Sequence, residues 1–187
     1  MIVKVPHPVL TRPAKEVKKF DKKAVDIINR LKKILNSADN PKGVGLAAPQ
    51  IGESLRIFVT KPREPDKIRV FINPKIISQS RKLSEIKRTD EDKDKRLAKE
   101  KKLEGCLSIE NVWGYLKRPS TVKLRFMDDK GKIKEEDFNG FMATIIQHET
   151  DHLNGILFTQ RVLEQNQKLY RIEKTEKNEE QLVEIVI

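Results

Sequence analysis

Cysteine occurs once in this chain of 187 residues, histidine three times, and aromatic residues make up only 5% of it. A single cysteine, Cys106, excludes an internal disulfide, and a lone thiol suits a reducing compartment. No uncharged apolar run approaches the roughly 20 residues that span a bilayer. The first residues, Met1-Ile2-Val3-Lys4-Val5-Pro6, place a charge where a signal peptide needs an apolar core, and no Arg- and Ser-rich leader is seen. The expectation is a soluble, cytoplasmic protein with no membrane contact, bacterial in the first instance and with an organellar origin left open. Scarce aromatics also leave the basic runs without stacking partners, which speaks against specific nucleic-acid recognition.

Positive charge, by contrast, is plentiful. Lys and Arg number 39 against 28 Asp and Glu, a net charge of +11, which favours loose association with polyanions without naming a function. The length fits one domain. Asp21 to Ala38 repeats apolar residues at Ala24, Val25, Ile28, Leu31, Ile34 and Leu35, one face of a helix with Asp21 as N-cap. Gly43 to Gln50 is too rich in small residues for a regular element and reads as an ordered loop. Strands are predicted at Leu55–Thr60, Val70–Ile72 and Thr121–Phe126. Asp129-Lys130-Gly131 turns the last of these into a hairpin with Lys134–Phe138. A second helix is predicted from Gly140 to His152. The fold class expected is α+β, with mostly antiparallel β-sheets packed around a central helix. Arg81 to Lys102, with ten basic and six acidic residues in twenty-two positions, reads as an exposed charged insertion. Leu182 to Ile187 ends the chain as either an added strand or an exposed apolar tail.

The chemistry centres on His148-Glu149-Thr150-Asp151-His152, an H-E-x-x-H pattern on the second predicted helix. Residues four apart lie one turn above each other, so both imidazoles can grip one metal. Glu149 then projects beside that metal, in place to act as a general base on water. His7, between two prolines, reads as a turn residue. A catalytic ion needs a third protein ligand and an open position, and the candidate is Cys106, whose thiolate with two imidazoles suits iron, zinc, nickel or cobalt. An ordinary buried thiol is the competing reading of Cys106.

Three blocks occur in order: Gly43-Val44-Gly45-Leu46-Ala47-Ala48-Pro49-Gln50, Glu104-Gly105-Cys106-Leu107-Ser108, and Gln147-His148-Glu149-Thr150-Asp151-His152-Leu153. Together they resemble the signature blocks of peptide deformylases, and the resemblance covers roughly residues 1–165 apart from the charged insertion. It implies a single catalytic domain over residues 1–170, followed by a polar extension, 171–187, with an apolar end. It implies hydrolysis of the N-formyl group from the formyl-methionine of nascent peptides, with release of formate. Cys106, His148 and His152 would hold one divalent metal, Fe2+ first and Zn2+, Ni2+ or Co2+ as alternatives. Glu149 would take a proton from water, and the Gln50 amide and the Leu107 backbone N–H would hold the oxyanion. Val44, Phe141 and Ile145 would line the methionine pocket, and an extended peptide would pair with Gly45 as an added strand. Asp151 would pair with Arg118 behind the ligands or form a plain surface ion pair. A weak, salt-sensitive ribosome contact accords with the charge.

Two readings compete. An H-E-x-x-H metalloprotease would take its third ligand downstream, where Glu164 is the nearest carboxylate and is poorly spaced. An inactive RNA-associated protein would show an eroded site. The chain departs from the family pattern at the insertion, at Glu110 where a proline is common, and at Trp113 where some relatives carry a substrate-contacting arginine; these changes bear on peptide preference.

Overall fold

The computed structural model describes residues 1–39, 42–63, 65–86, 103–174 and 180–186, so the greater part of the charged insertion lies outside the described residues. Among the described residues three α-helices accompany eleven strands: α1 (Lys22–Asn36), β1 (Gly45–Ala47), β2 (Ile57–Thr60), β3 (Arg69–Gln79), β4 (Leu83–Ser84), β5 (Leu103–Cys106), β6 (Ile109–Tyr115), β7 (Arg118–Pro119), β8 (Thr121–Met127), β9 (Ile133–Asn139), α2 (Gly140–Leu153), α3 (Phe158–Glu164), β10 (Leu169–Lys174) and β11 (Glu180–Ile185). Every strand pair is antiparallel. One sheet runs β1-β2-β3-β8-β9, a second β11-β10-β6-β5, and β4 pairs with β7. The fold is α+β. No described helix is long and apolar enough to cross a membrane.

Asp21 caps α1 by accepting the Ala24 N–H, satisfying one of the amides a helix start leaves unpaired. The helix buries Ala24, Ile27, Ile28, Leu31 and Leu35 in a cluster with Leu46, Ile57 and Val59 of the first sheet. The apolar stripe is rotated from the sequence expectation: Ile27 is buried, whereas Val25 is 38% exposed. Leu31 is fully buried, and truncation to Ala there costs about 2–5 kcal/mol through lost contacts and a cavity. The inner ends of β2, β3, β8 and β9 supply Phe58, Phe71, Phe126 and Phe138, which pack on Ala143, Ile146 and Leu153 of α2. Phe71 sits between Phe58 and Phe126, with ring centroids 4.7 and 4.6 Å away. Four of the chain's ten aromatics are thus spent on one cluster that seats α2.

Several expectations need correction. Gly43 to Gln50 is not simply a loop. It contains β1 and a 3₁₀ turn, Ala48–Ile51, because the small side chains let β1 lie buried at a sheet edge. The insertion is not wholly outside the core. Its first residues form β4 against β7, and Ile86 is only 4% exposed. The β5–β6 hairpin went unforeseen, since its first strand has four residues and no apolar alternation. Of the two readings of the C-terminal segment the added strand holds: β11 forms a hairpin with β10, which extends the second sheet through β6. His7, as expected, is a turn residue, and its ring accepts the Val9 N–H.

Candidate metal centre

The β5–β6 hairpin presents the thiol. Gly105 pairs with Trp113, but Cys106 pairs with Ile109, so the register slips and a two-residue turn, Leu107-Ser108, follows the cysteine. One face of α2 presents His148 and His152, a turn apart. The Cys106 Sγ lies 3.2 Å from His152 Nε2, and the donor atoms of Cys106, His148 and His152 all lie within 4.8 Å of one another. A thiol and two imidazoles converging so closely could hold a divalent transition ion and leave a coordination position open. Burial alone would push the Cys106 thiol up, but the neighbouring His152 and His148 outweigh it and bring it down to about 5. The thiolate that a metal requires is therefore favoured at this position.

His148 is oriented from behind. Its Nδ1 lies 2.6 Å from Glu104 Oε1, which leaves Nε2 to face the donor cluster. Arg118 grips both oxygens of Glu104, at 2.9 and 2.7 Å, and reaches Asp151 at 2.9 Å; Arg161 closes on the other Asp151 oxygen at 2.9 Å. The Asp151–Arg118 pair is buried rather than a surface contact. Burial would raise the Glu104 carboxyl, yet Arg118 and His148 hold it well below the usual carboxylate range. Glu104 is the residue that sequence reasoning missed. It stands in the Glu104-Gly105-Cys106 block, two residues before the thiol, and its buried charge between strand and helix is a tertiary property.

Glu149 points the other way. Its carboxylate lies against Gly45, and a Cβ at residue 45 would collide with it. It is 3% exposed, and its Oε2 has no hydrogen-bond partner. Burial, only partly opposed by His148 and His152, lifts its carboxyl to about 7. Gln50, on the 3₁₀ turn after β1, accepts the Ala47 N–H at 2.8 Å through Oε1. Its amide nitrogen is thereby aimed at Cys106 Sγ, 3.4 Å away, and at Ser108 Oγ, 3.3 Å away. A cleft of about 470 Å³ is lined by Val44, Gly45, Gln50, Cys106, Leu107, Phe141, Ile145, His148 and Glu149. Trp113 also lines it, in keeping with its standing where some relatives carry a substrate-contacting arginine, and so does Ile86, which the charge pattern around it did not lead one to expect. The structure therefore brings all the sequence-predicted site residues into one place, His152 reaching it through Cys106.

The polypeptide deformylase family model matches residues 1–168. A peptide deformylase of Pseudothermotoga lettingae is 40% identical over 151 residues, covering 81% of this chain and 75% of that protein. The crystal structure of a peptide deformylase from Synechococcus elongatus in complex with actinonin superposes with a TM-score of 0.73 at 34% identity, covering 89% of this chain and 81% of that one. A Plasmodium falciparum peptide deformylase in complex with an inhibitor gives a TM-score of 0.70 at 34% identity, covering 87% of this chain and 88% of that one. By fold, by the convergence of its thiol and imidazoles, and by these likenesses, the chain belongs to the polypeptide deformylase family.

Proposed function

We propose that this chain removes the formyl group from the N-terminal formyl-methionine of nascent polypeptides, with α2 as the central helix on which the site is built. The observation that carries the reading is the convergence of Cys106, His148 and His152 beside a buried, unpartnered Glu149 oxygen. Those three residues would hold the divalent ion, ferrous iron in the first instance and zinc, nickel or cobalt as chemically acceptable substitutes. When bound, the ion supplies a Lewis acid that polarises the formyl carbonyl and eases deprotonation of water.

The chain's own residues do the rest. The edge of β1 at Gly45 offers its backbone to an extended peptide, as an added strand would use it. The methionine side chain enters between Val44, Phe141 and Ile145. Glu149 accepts a proton from water as its oxygen adds to the formyl carbon, and a carboxyl lifted to about 7 is matched to proton transfer near neutrality. Charge gathers on the former carbonyl oxygen, where the Gln50 amide and the Leu107 N–H donate to it. Collapse breaks the C–N bond, Glu149 returns its proton to the leaving amine, and formate and a free methionine terminus depart. The site works in the cytoplasm, where formylated chains emerge from the ribosome, and the +11 charge supports a weak, salt-sensitive contact there. Residues 1–170 act as the catalytic domain, with 171–187 as an extension.

Formate release from a formyl-Met peptide, beside an acetyl-Met control, tests the reading on protein loaded anaerobically with iron or nickel. Release by the parent and its loss in Glu149→Ala and Cys106→Ala are the expected results. A metal-loaded parent that releases no formate overturns it.

A further inference from the structure

The two groups that would hold the oxyanion stand on separate pieces of the fold. Gln50 belongs to the 3₁₀ turn after β1, in the first sheet, and Leu107 to the turn between β5 and β6, in the second. The Gln50 amide meets the second turn at long range, 3.3 Å from Ser108 Oγ and 3.4 Å from Cys106 Sγ. Among the described residues no backbone hydrogen bond joins the two turns directly; residues 3–5 join them instead. The Val3 N–H donates to the Gln50 carbonyl at 2.8 Å, and the Val5 N–H to the Ser108 carbonyl at 3.1 Å. Between them the Lys4 ammonium donates to the Leu107 carbonyl at 2.6 Å, with Glu110 at 2.7 Å as its countercharge. Ile2, packed against the α1 cluster, anchors the segment on the core.

We propose that residues 3–5 are a clasp that sets the distance between the Gln50 amide and the Leu107 N–H, and that Lys4 is thereby a positioning residue for the reaction. The proposal rests on the deformylase reading above. Two N–H groups two residues apart cannot separate by more than about 7 Å, so the segment limits how far the two turns can part. Of its three bonds the one from Lys4 is charge-assisted, hence the strongest. Leu107 offers its N–H to the oxyanion and its C=O to Lys4, so a hold on the carbonyl restrains the residue that carries the donor. The same carbonyl shares a peptide group with the Ser108 N–H, which donates to Cys106 Sγ at 3.4 Å, and Lys4 polarises that bond as well. Lys4 does not line the cleft and acts only through Leu107. Placement matters here because an oxyanion donor must stand within hydrogen-bond distance of the developing charge, and a misplacement of about 1 Å costs on the order of 10²-fold.

The test compares the parent with Lys4→Met, which keeps the length of the side chain and removes its charge and donors, and with Lys4→Arg, which keeps both. Turnover of formyl-Met-Ala-Ser amide is measured on nickel-loaded protein, and backbone amides are followed by NMR on zinc-loaded protein. Lys4→Met should lower kcat about tenfold, part of the 10²–10³ that a removed oxyanion donor loses. KM should stay unchanged, because these donors tighten on charge that develops after binding. Lys4→Arg should recover most of the rate. In Lys4→Met the Ser108 amide should exchange faster and the Leu107 amide resonance should move, while Leu31 exchange and metal content keep their parent values. An unchanged kcat in Lys4→Met overturns the proposal. So does a fall in kcat accompanied by metal loss or by faster exchange throughout the chain, the mark of a merely structural lysine. A parent that releases no formate overturns the deformylase reading and with it the role of Lys4 in turnover, whereas amide changes confined to Leu107 and Ser108 would still show the clasp.

Discussion

Glu104 and Glu149 are buried carboxylates of the same site, 4% and 3% exposed, yet their surroundings push them in opposite directions. Arg118 and His148 take up both oxygens of Glu104 and hold it as a fixed anion. Glu149 has one oxygen without a partner, faces the backbone of Gly45, and is lifted to about 7. Burial is common to both, so burial does not decide the role; the presence of a guanidinium does. A carboxylate that keeps its charge can orient an imidazole, whereas one near neutrality can carry a proton back and forth.

The sharpest way to break that contrast is Glu149→Gln, which keeps shape and removes the proton carrier. Formate release should fall by about 10²–10⁴-fold, the usual worth of a general base, while metal content measured on the same preparation stays at the parent level. A loss of metal in parallel with activity would make Glu149 a structural residue and erase its difference from Glu104.

Glu104→Gln attacks the other side. It leaves the buried Arg118 with less countercharge and His148 with a weaker partner, so the expected loss is in metal affinity, about 10–100-fold, and in stability. Removing one member of a buried ion pair typically costs about 3–5 kcal/mol, although Asp151 remains to share the guanidinium. Competition with a chelator reads the first effect and denaturant unfolding the second. A variant that binds metal normally and fails only in turnover would place Glu104 in the proton path.

The two carboxylates were unequally legible in the sequence. Glu149 announces itself because the H-E-x-x-H spacing is a local, helical property, and the same holds for the apolar face of α1. Glu104 does not, because its partners lie 14 and 44 residues away. The strand that carries it, β5, has four residues and is too short to show a period. Nor could composition reveal that Ile86, set among charges, turns inward to the cleft. Sequence pattern captured what neighbours along the chain decide, while residue roles set by opposing elements needed the fold.

Arg161→Ala probes the outer end of the Glu104 network. Arg161 is 35% exposed in its side chain and shares Asp151 with the buried Arg118. Solvent screening limits such a pair to about 1 kcal/mol or less. The denaturation midpoint should therefore move little and metal affinity less than in Glu104→Gln. A loss as large as that of Glu104→Gln would show that the anion is fixed cooperatively by the whole chain of charges.

The smallest effect expected concerns a third carboxylate, Asp128, in the turn between β8 and β9. It accepts the N–H groups of Lys132 and Lys130, at 3.0 and 2.9 Å, and these, with Lys134, hold it down to about 2 from its ordinary 3.8. Like Glu104 it is kept charged, but by backbone amides in a hairpin rather than by a buried guanidinium. A carboxylate depressed on folding contributes stability that is fully present above its unfolded pKa and is lost as pH falls through its folded one. The difference in denaturation midpoint between the parent and Asp128→Asn should thus be constant above about pH 4 and shrink as the pH approaches about 2. A difference that stays flat across this range would mean that the turn does not distinguish the charged form, and that holding a carboxylate low in this protein requires the enclosed guanidinium that Glu104 has.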